Sequence, residues 1–376
     1  MTAAPSGYWW RVGGSAAFLL VLLVASPGVG TESSRFGWQE VWRARLGMGL
    51  SPNAIVGHGV VDLDDDGTVT ESEQTVFSQT ARVIFDQRLP RTLLALQVGI
   101  TLALCGATFQ ILFRNPLATP YTLGVASGGS LGAMIAIKLG WIVSIFGISS
   151  LAVSAFCGAW LVVGVVMLIA AGVRRLTSNE LLLAGVTMGL FCSAMMMLVT
   201  SVSSERQTFA MVRWMMGSLD AVEMVAGTRM LPLMVPAWIA VVVLSRALNQ
   251  YRLGDELATM RGVSVRRLQI ICVGVCTLAV AGAVGQCGPI GFVGLVVPHM
   301  ARLLVGADCR ILLPVSALLG GAFLILCDWG SQVTMRTVGW MTGQQLGSAT
   351  LPIGVVTAIV GVPLFLVLLR TRRRPA

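Results

Sequence analysis

RLPRTLLALQVGITLALCGATFQILFRNPLATPYTLGVASGG, residues 88–129, sets two arginines before an apolar run and closes in a passage rich in proline and glycine. The run 92–112 approaches the ~20 residues that a helix needs to cross the hydrocarbon core of a bilayer. Pro116 and Pro120 follow it, and the cluster GVASGGSLGA (124–133) lies in a second run, 121–140. Its small side chains let helix backbones approach closely in lipid. Outward from these two, similar runs occupy 13–30, 147–173, 180–203, 231–247, 268–287, 290–305, 311–330 and 352–369. Of 376 residues 55% are hydrophobic and only 11% charged, with a mean hydropathy of +0.81, against roughly a quarter charged in a soluble domain. The expectation is an all-α integral membrane protein of ten transmembrane helices. Pro116, Pro120, Pro289, Pro298, Pro352 and Pro363, in or at the ends of these runs, predict short or broken helices around a cavity, where irregular backbone is tolerated.

Ten spans place both termini on one side. The net charge of +9 comes almost entirely from arginine, Lys138 being the single lysine. With the N-terminus cytoplasmic, Arg174–Arg175, the segment 246–267 and Arg370 to Arg374 all fall inside, as the positive-inside trend requires. The first run also has the look of a cleavable signal peptide, although it is long for one and its removal would set the basic tail opposite the basic loops. The basic balance therefore points to membrane lipid and not to nucleic acid. Eight scattered cysteines without a CxxC read as small apolar packing residues. The spans hold almost no ionisable residues, with Asp328 the main exception and Lys138 and Glu180 near span ends, so an ion-coupled secondary transporter lacks its usual relay. No GxxxxGK[ST] is present, so the chain binds no nucleotide itself. Nor does HExxH occur, and with only His58 and His299 an intramembrane enzyme is poorly served.

Three polar segments stand out. LNQYRLGDELATMRGVSVRR (248–267) reads as a short cytoplasmic helix: Gly254 precedes it, Asp255 and Glu256 suit its first turn, and Gly262 stops it. It is either a plain connection or a docking element for a cytoplasmic partner. Arg88 and Arg91 stand at the outer mouth of a span, either snorkelling at the interface or meeting an acidic partner. DLDDDGTVTESE (62–73) lies in the outer connection, which holds nine of the chain's 17 acids. It fits the EF-hand loop, with Asp62, Asp64 and Asp66 at positions 1, 3 and 5, Gly67 at the turn, Thr68 at the carbonyl position, Thr70 at 9 and Glu73 at 12. These oxygen ligands suit calcium in a structural role. A solvated acidic loop and an iron-attracting patch are the alternatives, and a calcium-regulated receptor or scaffold is the matching alternative function.

Together, residues 88–129, LLLAGV (181–186), WMMGSL (214–219), LGDELATMRGV (253–263), GPIGFVGLVVPHMARLLVGADCRILLP (288–314) and LPIGVVTAIVGVPLF (351–365) resemble the FecCD-type permeases. These are the membrane subunits of ABC importers for iron-siderophores, haem and cobalamin. The resemblance implies a ten-helix permease in the bacterial inner membrane, of the type II importer fold. Such a permease is dimeric, with a second copy or a homologous subunit, is driven by two cytoplasmic ABC ATPases and is fed by a periplasmic binding protein. It implies a coupling helix over 253–263 (Gly254, Asp255, Glu256, Ala258, Gly262), a cytoplasmic gate at Ser178 and Asn179, and a docking pocket at Arg88 and Arg91. The family's further arginine is Gln332 here, and Arg336, one turn on, is the candidate substitute. Thr350 replaces the family's glutamate before LPIG, and the connection 334–350 is longer than usual. The implied organisation is an N-terminal segment with the first span (1–30), a periplasmic loop with the EF-hand-like insert (31–91) and a permease core (92–376). An iron-siderophore is the first expectation for the substrate, with haem or cobalamin next.

Overall fold

The computed structural model describes residues 8–26, 88–141, 144–145, 148–171, 178–219, 231–342 and 350–371. Thirteen α-helices run through them: α1 Tyr8–Ala25, α2 Leu89–Leu112, α3 Val125–Leu139, α4 Ser150–Ala171, α5 Ser178–Ser201, α6 Glu205–Met215, α7 Leu231–Val243, α8 Ser245–Tyr251, α9 Asp255–Met260, α10 Val265–Cys287, α11 Val293–Val305, α12 Cys309–Thr342 and α13 Ile353–Thr371. Two two-residue strands, β1 Ser144–Ile145 and β2 Ile148–Ser149, form a small antiparallel ladder between α3 and α4. Each of the ten expected runs coincides with a helix. Five helices, α2, α4, α5, α10 and α12, are long and apolar enough to span a membrane alone, and α7 with α8 makes a sixth span bent by 51°. The other four, in α1, α3, α11 and α13, are shorter apolar helices.

The departures from expectation have local causes. The run 121–140 opens as a 3-10 turn, Pro120–Leu123, and Gly124, at φ 84°, redirects the chain into α3. The run 290–305 starts its helix only at Val293. At 13 residues α11 is about 20 Å long, well short of a ~30 Å hydrocarbon core. Helix α12, expected to end near residue 330, runs on to Thr342, so half of the connection expected over 334–350 is helical. The hydroxyls of Thr334 and Thr342 donate back to the carbonyls of Gly330 and Val338 there. Helix α6 was not anticipated. Its signal is a capping box, with Ser204 and Gln207 exchanging backbone-to-side-chain hydrogen bonds at 3.1 and 3.4 Å.

α2 is the hub. Its apolar window is 83% buried, against 17% in α5, so α2 lies inside the subunit while α5 leaves most of its surface to lipid or another chain. Glycine is what lets α2 sit so deep. A side chain on Gly99 would overlap the backbone of Gly320 in α12, and one on Gly106 would overlap that of Gly294 in α11, so the backbones meet directly, as helices in lipid favour. The two buried threonines Thr101 and Thr108 of α2 are satisfied within the protein: they donate to carbonyls one turn back at 2.7 and 2.8 Å, and Trp238 Nε1 donates to Thr101 Oγ1 at 2.9 Å. α1 belongs to the same bundle, with Leu19 and Leu22 buried and Trp329 Nε1 of α12 donating to Ser26 Oγ at 3.3 Å. All eight cysteines are free thiols, and seven are buried, as packing residues should be.

Candidate functional site

Three of the glycine-rich segments quoted above converge on one irregular junction. Ser218 N–H donates to the Cys287 carbonyl at 2.8 Å, and Ile353 and Gly354 N–H donate to the carbonyls of Gly217 and Met216 at 3.2 and 3.1 Å. Gly217 (φ 71°) and Gly288 (φ 71°) adopt the left-handed backbone there, and a Cβ on Gly217 would stand 2.8 Å from the Pro289 carbonyl. Tyr121, in the 3-10 turn, accepts the Ile290 N–H at 2.9 Å. Thus WMMGSL, GPIGF and LPIG, far apart in sequence, cap one another's unpaired backbone groups, which a bilayer interior otherwise penalises. Beside this junction, Leu102, Leu117, Tyr121, Ile290, Phe292 and Leu295 line a cavity of about 180 Å³.

At one end of the bundle α2 presents Arg88 and Arg91. Arg91 Nε and Nη2 both stand 2.7 Å from Asp328 Oδ1, with the two side chains 15% and 3% exposed. Asp328 Oδ2 accepts from Gln332 Nε2 at 2.8 Å. Arg88 is buried. The expected ionisable residue of the ninth span is thus an internal counter-ion for an expected docking arginine, a pairing that answers the cost of burying either charge. Ser26 and Thr92 share a hydrogen bond beside them. Arg336 lies on α12 eight residues beyond Asp328, about 12 Å along the helix, and its side chain is outside the described residues.

At the other end stands α9. Gly254 (φ 123°) and Gly262 (φ 82°) bracket it in conformations that suit only glycine. Ala258 is fully buried, anchoring the helix through its smallest face, and its carbonyl accepts the Val263 N–H at 3.0 Å. Glu256 faces solvent, and so do three apolar side chains that sequence reasoning did not single out: Leu253 (55% exposed), Leu257 (48%) and Met260 (83%). Asp255 pairs with Arg114 at 2.5 Å. Arg114 opens RNPLATP, and the signal that marks it in the sequence is a lone charge just after an apolar span.

Ser178 and Asn179 are the first residues of α5, their side chains outside the described residues. Seven residues on, Gly185 packs on the backbone of Thr122 and Leu123. The EF-hand-like residues Asp62, Asp64, Asp66, Thr68, Thr70 and Glu73 lie outside the described residues. Among the described residues no group of three or more His, Cys, Asp or Glu side chains is placed to hold a metal.

The chain matches the FecCD transport family over residues 18–371. An uncharacterised ABC transporter permease protein, YvrB, of Bacillus subtilis (strain 168) is 37% identical over 295 residues, 77% of this chain and 80% of that one. The cobalamin import system permease protein BtuC of Halobacterium salinarum is 38% identical over 295 residues, 78% of this chain and 75% of that one. Among solved structures, a transporter described as of metal-chelate ABC type, in an inward-facing conformation, superposes with a TM-score of 0.76 at 28% identity, covering 97% of this chain and all of that one. A bundle of apolar spans matched along its length by proteins of one kind leaves one conclusion: the chain belongs to the FecCD transport family as a multi-pass ABC permease subunit.

Proposed function

We propose that the chain is the membrane subunit of an ATP-driven importer of a metal chelate in the bacterial inner membrane, with both termini cytoplasmic. Helix α9 carries the reading. Leu257 and Met260 are exposed to solvent beside a fully buried Ala258, an arrangement that suits capture by a partner and not the closing of a connection. On this reading α9 sits on an ATPase subunit, one per permease of a homo- or heterodimer, and nucleotide is bound and hydrolysed there and not on this chain. Ser178 and Asn179 form the cytoplasmic gate. The end carrying Arg88 and Arg91 receives a periplasmic binding protein, with Asp328 holding Arg91 in place until an acidic partner side chain competes for it.

For the substrate, relatives named as cobalamin permeases and a metal-chelate neighbour support the chelate class, within which cobalamin, haem and ferric siderophores all fall. The ion-coupled alternative is disfavoured by the interior. Asp328 is already paired with Arg91, and Lys138 Nζ donates to the Val202 carbonyl at a span end. The deciding experiment is reconstitution with the cognate ATPase and binding protein in proteoliposomes, offering radiolabelled cyanocobalamin, haem and a ferric hydroxamate in turn. Uptake of one chelate that requires ATP inside the ATPase compartment is expected. Accumulation driven by a proton or sodium gradient without ATP would overturn the proposal.

A further inference from the structure

We propose that Arg114 is a positioning residue that links the docking helix α9 to the gate end of α5; the inference rests on the coupling and gating roles proposed above. Arg114 directly follows the last turn of α2 and holds φ at 48°, where the Cβ of a non-glycine residue crowds the neighbouring carbonyl. Its guanidinium holds that conformation on three contacts. Nη2 donates to Asp255 Oδ1 at 2.5 Å and to the Tyr251 carbonyl at 2.8 Å, and Cζ lies 4.5 Å from the centre of the Tyr251 ring. Tyr251 is itself fixed: it is 1% exposed, its Oη donates to the Leu112 carbonyl at 3.0 Å, and the same Oη accepts from Gln269 Nε2 at 3.2 Å. The ends of α2, α8 and α10 are therefore clasped around one tyrosine, and Arg114 ties the first residue of α9 to that clasp.

On its other side Arg114 leads towards the gate. Five residues separate it from the 3-10 turn, and Asn115 stiffens them, its Oδ1 and carbonyl accepting the N–H groups of Leu117 and Ala118 at 2.9 and 3.1 Å. The turn's Thr122 and Leu123 backbone presses on Gly185 of α5 so closely that no Cβ fits. Ser178 stands seven residues before Gly185, about 10 Å along the same helix. A displacement of Asp255 thus has an unbroken path of packed backbone and charge-assisted contacts to the start of α5. The Arg114 and Asp255 side chains are 42% and 56% exposed, and an ion pair so accessible adds little to stability. Its geometric role, one charged nitrogen bridging two elements while the guanidinium lies over the Tyr251 ring, is what the shorter, uncharged glutamine would not reproduce.

The test uses the full permease–ATPase complex in liposomes, with Ser178→Cys as reporter and a membrane-impermeant maleimide as probe; the protein without the reporter gives the background from native thiols. In the parent, vanadate trapping with ATP is expected to change the labelling rate by about threefold or more, in the range of coupling carried by such networks. Arg114→Gln is expected to abolish most of that change while the ATPase still copurifies. Asp255→Asn, at an exposed position, is expected to lose the nucleotide response as well. The double variant should go no further than either single, because both remove one link. A full nucleotide response in Arg114→Gln or Asp255→Asn overturns the proposal while leaving the gate reading intact. A parent that shows no response removes the gate reading and the link with it.

Discussion

Replacing Asp328 by asparagine tests the charge at the Arg91 end of the bundle with almost no change of shape. One carboxylate oxygen receives both Nε and Nη2 of Arg91 at 2.7 Å, and the other receives Gln332 Nε2 at 2.8 Å. Asparagine keeps the volume, so cavity and overpacking effects are small. What changes is that a guanidinium 15% exposed loses a charged partner held at 2.7 Å. Breaking a buried pair from one side costs about 3–5 kcal/mol, and the residual exposure of Arg91 places this case near the lower figure, about 3 kcal/mol. That is roughly a 150-fold shift in the unfolding equilibrium. Arg91→Gln alone should cost a similar amount, and Arg91→Gln with Asp328→Asn should fall within about 1 kcal/mol of the parent, since two amides can hydrogen-bond where two charges attracted. Reversible unfolding in mixed micelles of mild detergent and SDS measures all four proteins. Single variants within about 0.5 kcal/mol of the parent, or a double variant equal to the sum of the singles, would refute the reasoning. The same set probes docking. Asp328→Asn releases the Arg91 charge and should keep or raise affinity for an acidic binding protein, whereas Arg91→Gln should lower it and flatten its salt dependence.

Gly106→Val should be destabilising by about 3 kcal/mol or more, because the added carbons meet the Gly294 backbone and not a movable side chain, while Gly164→Val, with open space around it, serves as the neutral control in the same unfolding assay. Leu257→Asp and Met260→Asp should cut ATPase copurification about tenfold or more, the loss of one buried apolar side chain at an interface, without shifting the unfolding midpoint; retained copurification would detach α9 from the ATPase. If residues 62–73 bind calcium as their sequence suggests, calcium should raise the stability of the purified permease by about 1.4 kcal/mol at tenfold above its dissociation constant. Glu73→Gln should remove most of that gain, and identical melting curves for the two proteins up to about 10 mM calcium would reduce the stretch to a solvated acidic loop.

Much of this protein is legible in its sequence because a bilayer leaves the backbone few choices. Inside hydrocarbon each N–H and carbonyl must be satisfied within its own segment, so apolar runs of the right length become helices, and all ten expected runs hold one. Gly254 and Gly262 marked the ends of α9 for a similarly local reason, since the positive φ each adopts is available to glycine at no cost. The family was legible as motifs, and the same motifs carry the expectations for the coupling helix, the gate and the outer mouth. The partners of those residues were not. Asp328 finds Arg91 across 237 positions and Arg114 finds Asp255 across 141, and neither spacing carries any periodic signal. Nor does a run of apolar letters tell how far its helix will extend or where it will stop, so α11 came out short and α12 long. Tertiary structure alone decided which helices form the core. α5 is more apolar than α2, with mean hydropathy of 2.1 against 1.8, yet 17% of its window is buried against 83%. Lipid and protein interior are equally apolar, so hydropathy does not separate them; the close approach of Gly99 to Gly320 and of Gly106 to Gly294 does, and it exists only once the chain is folded.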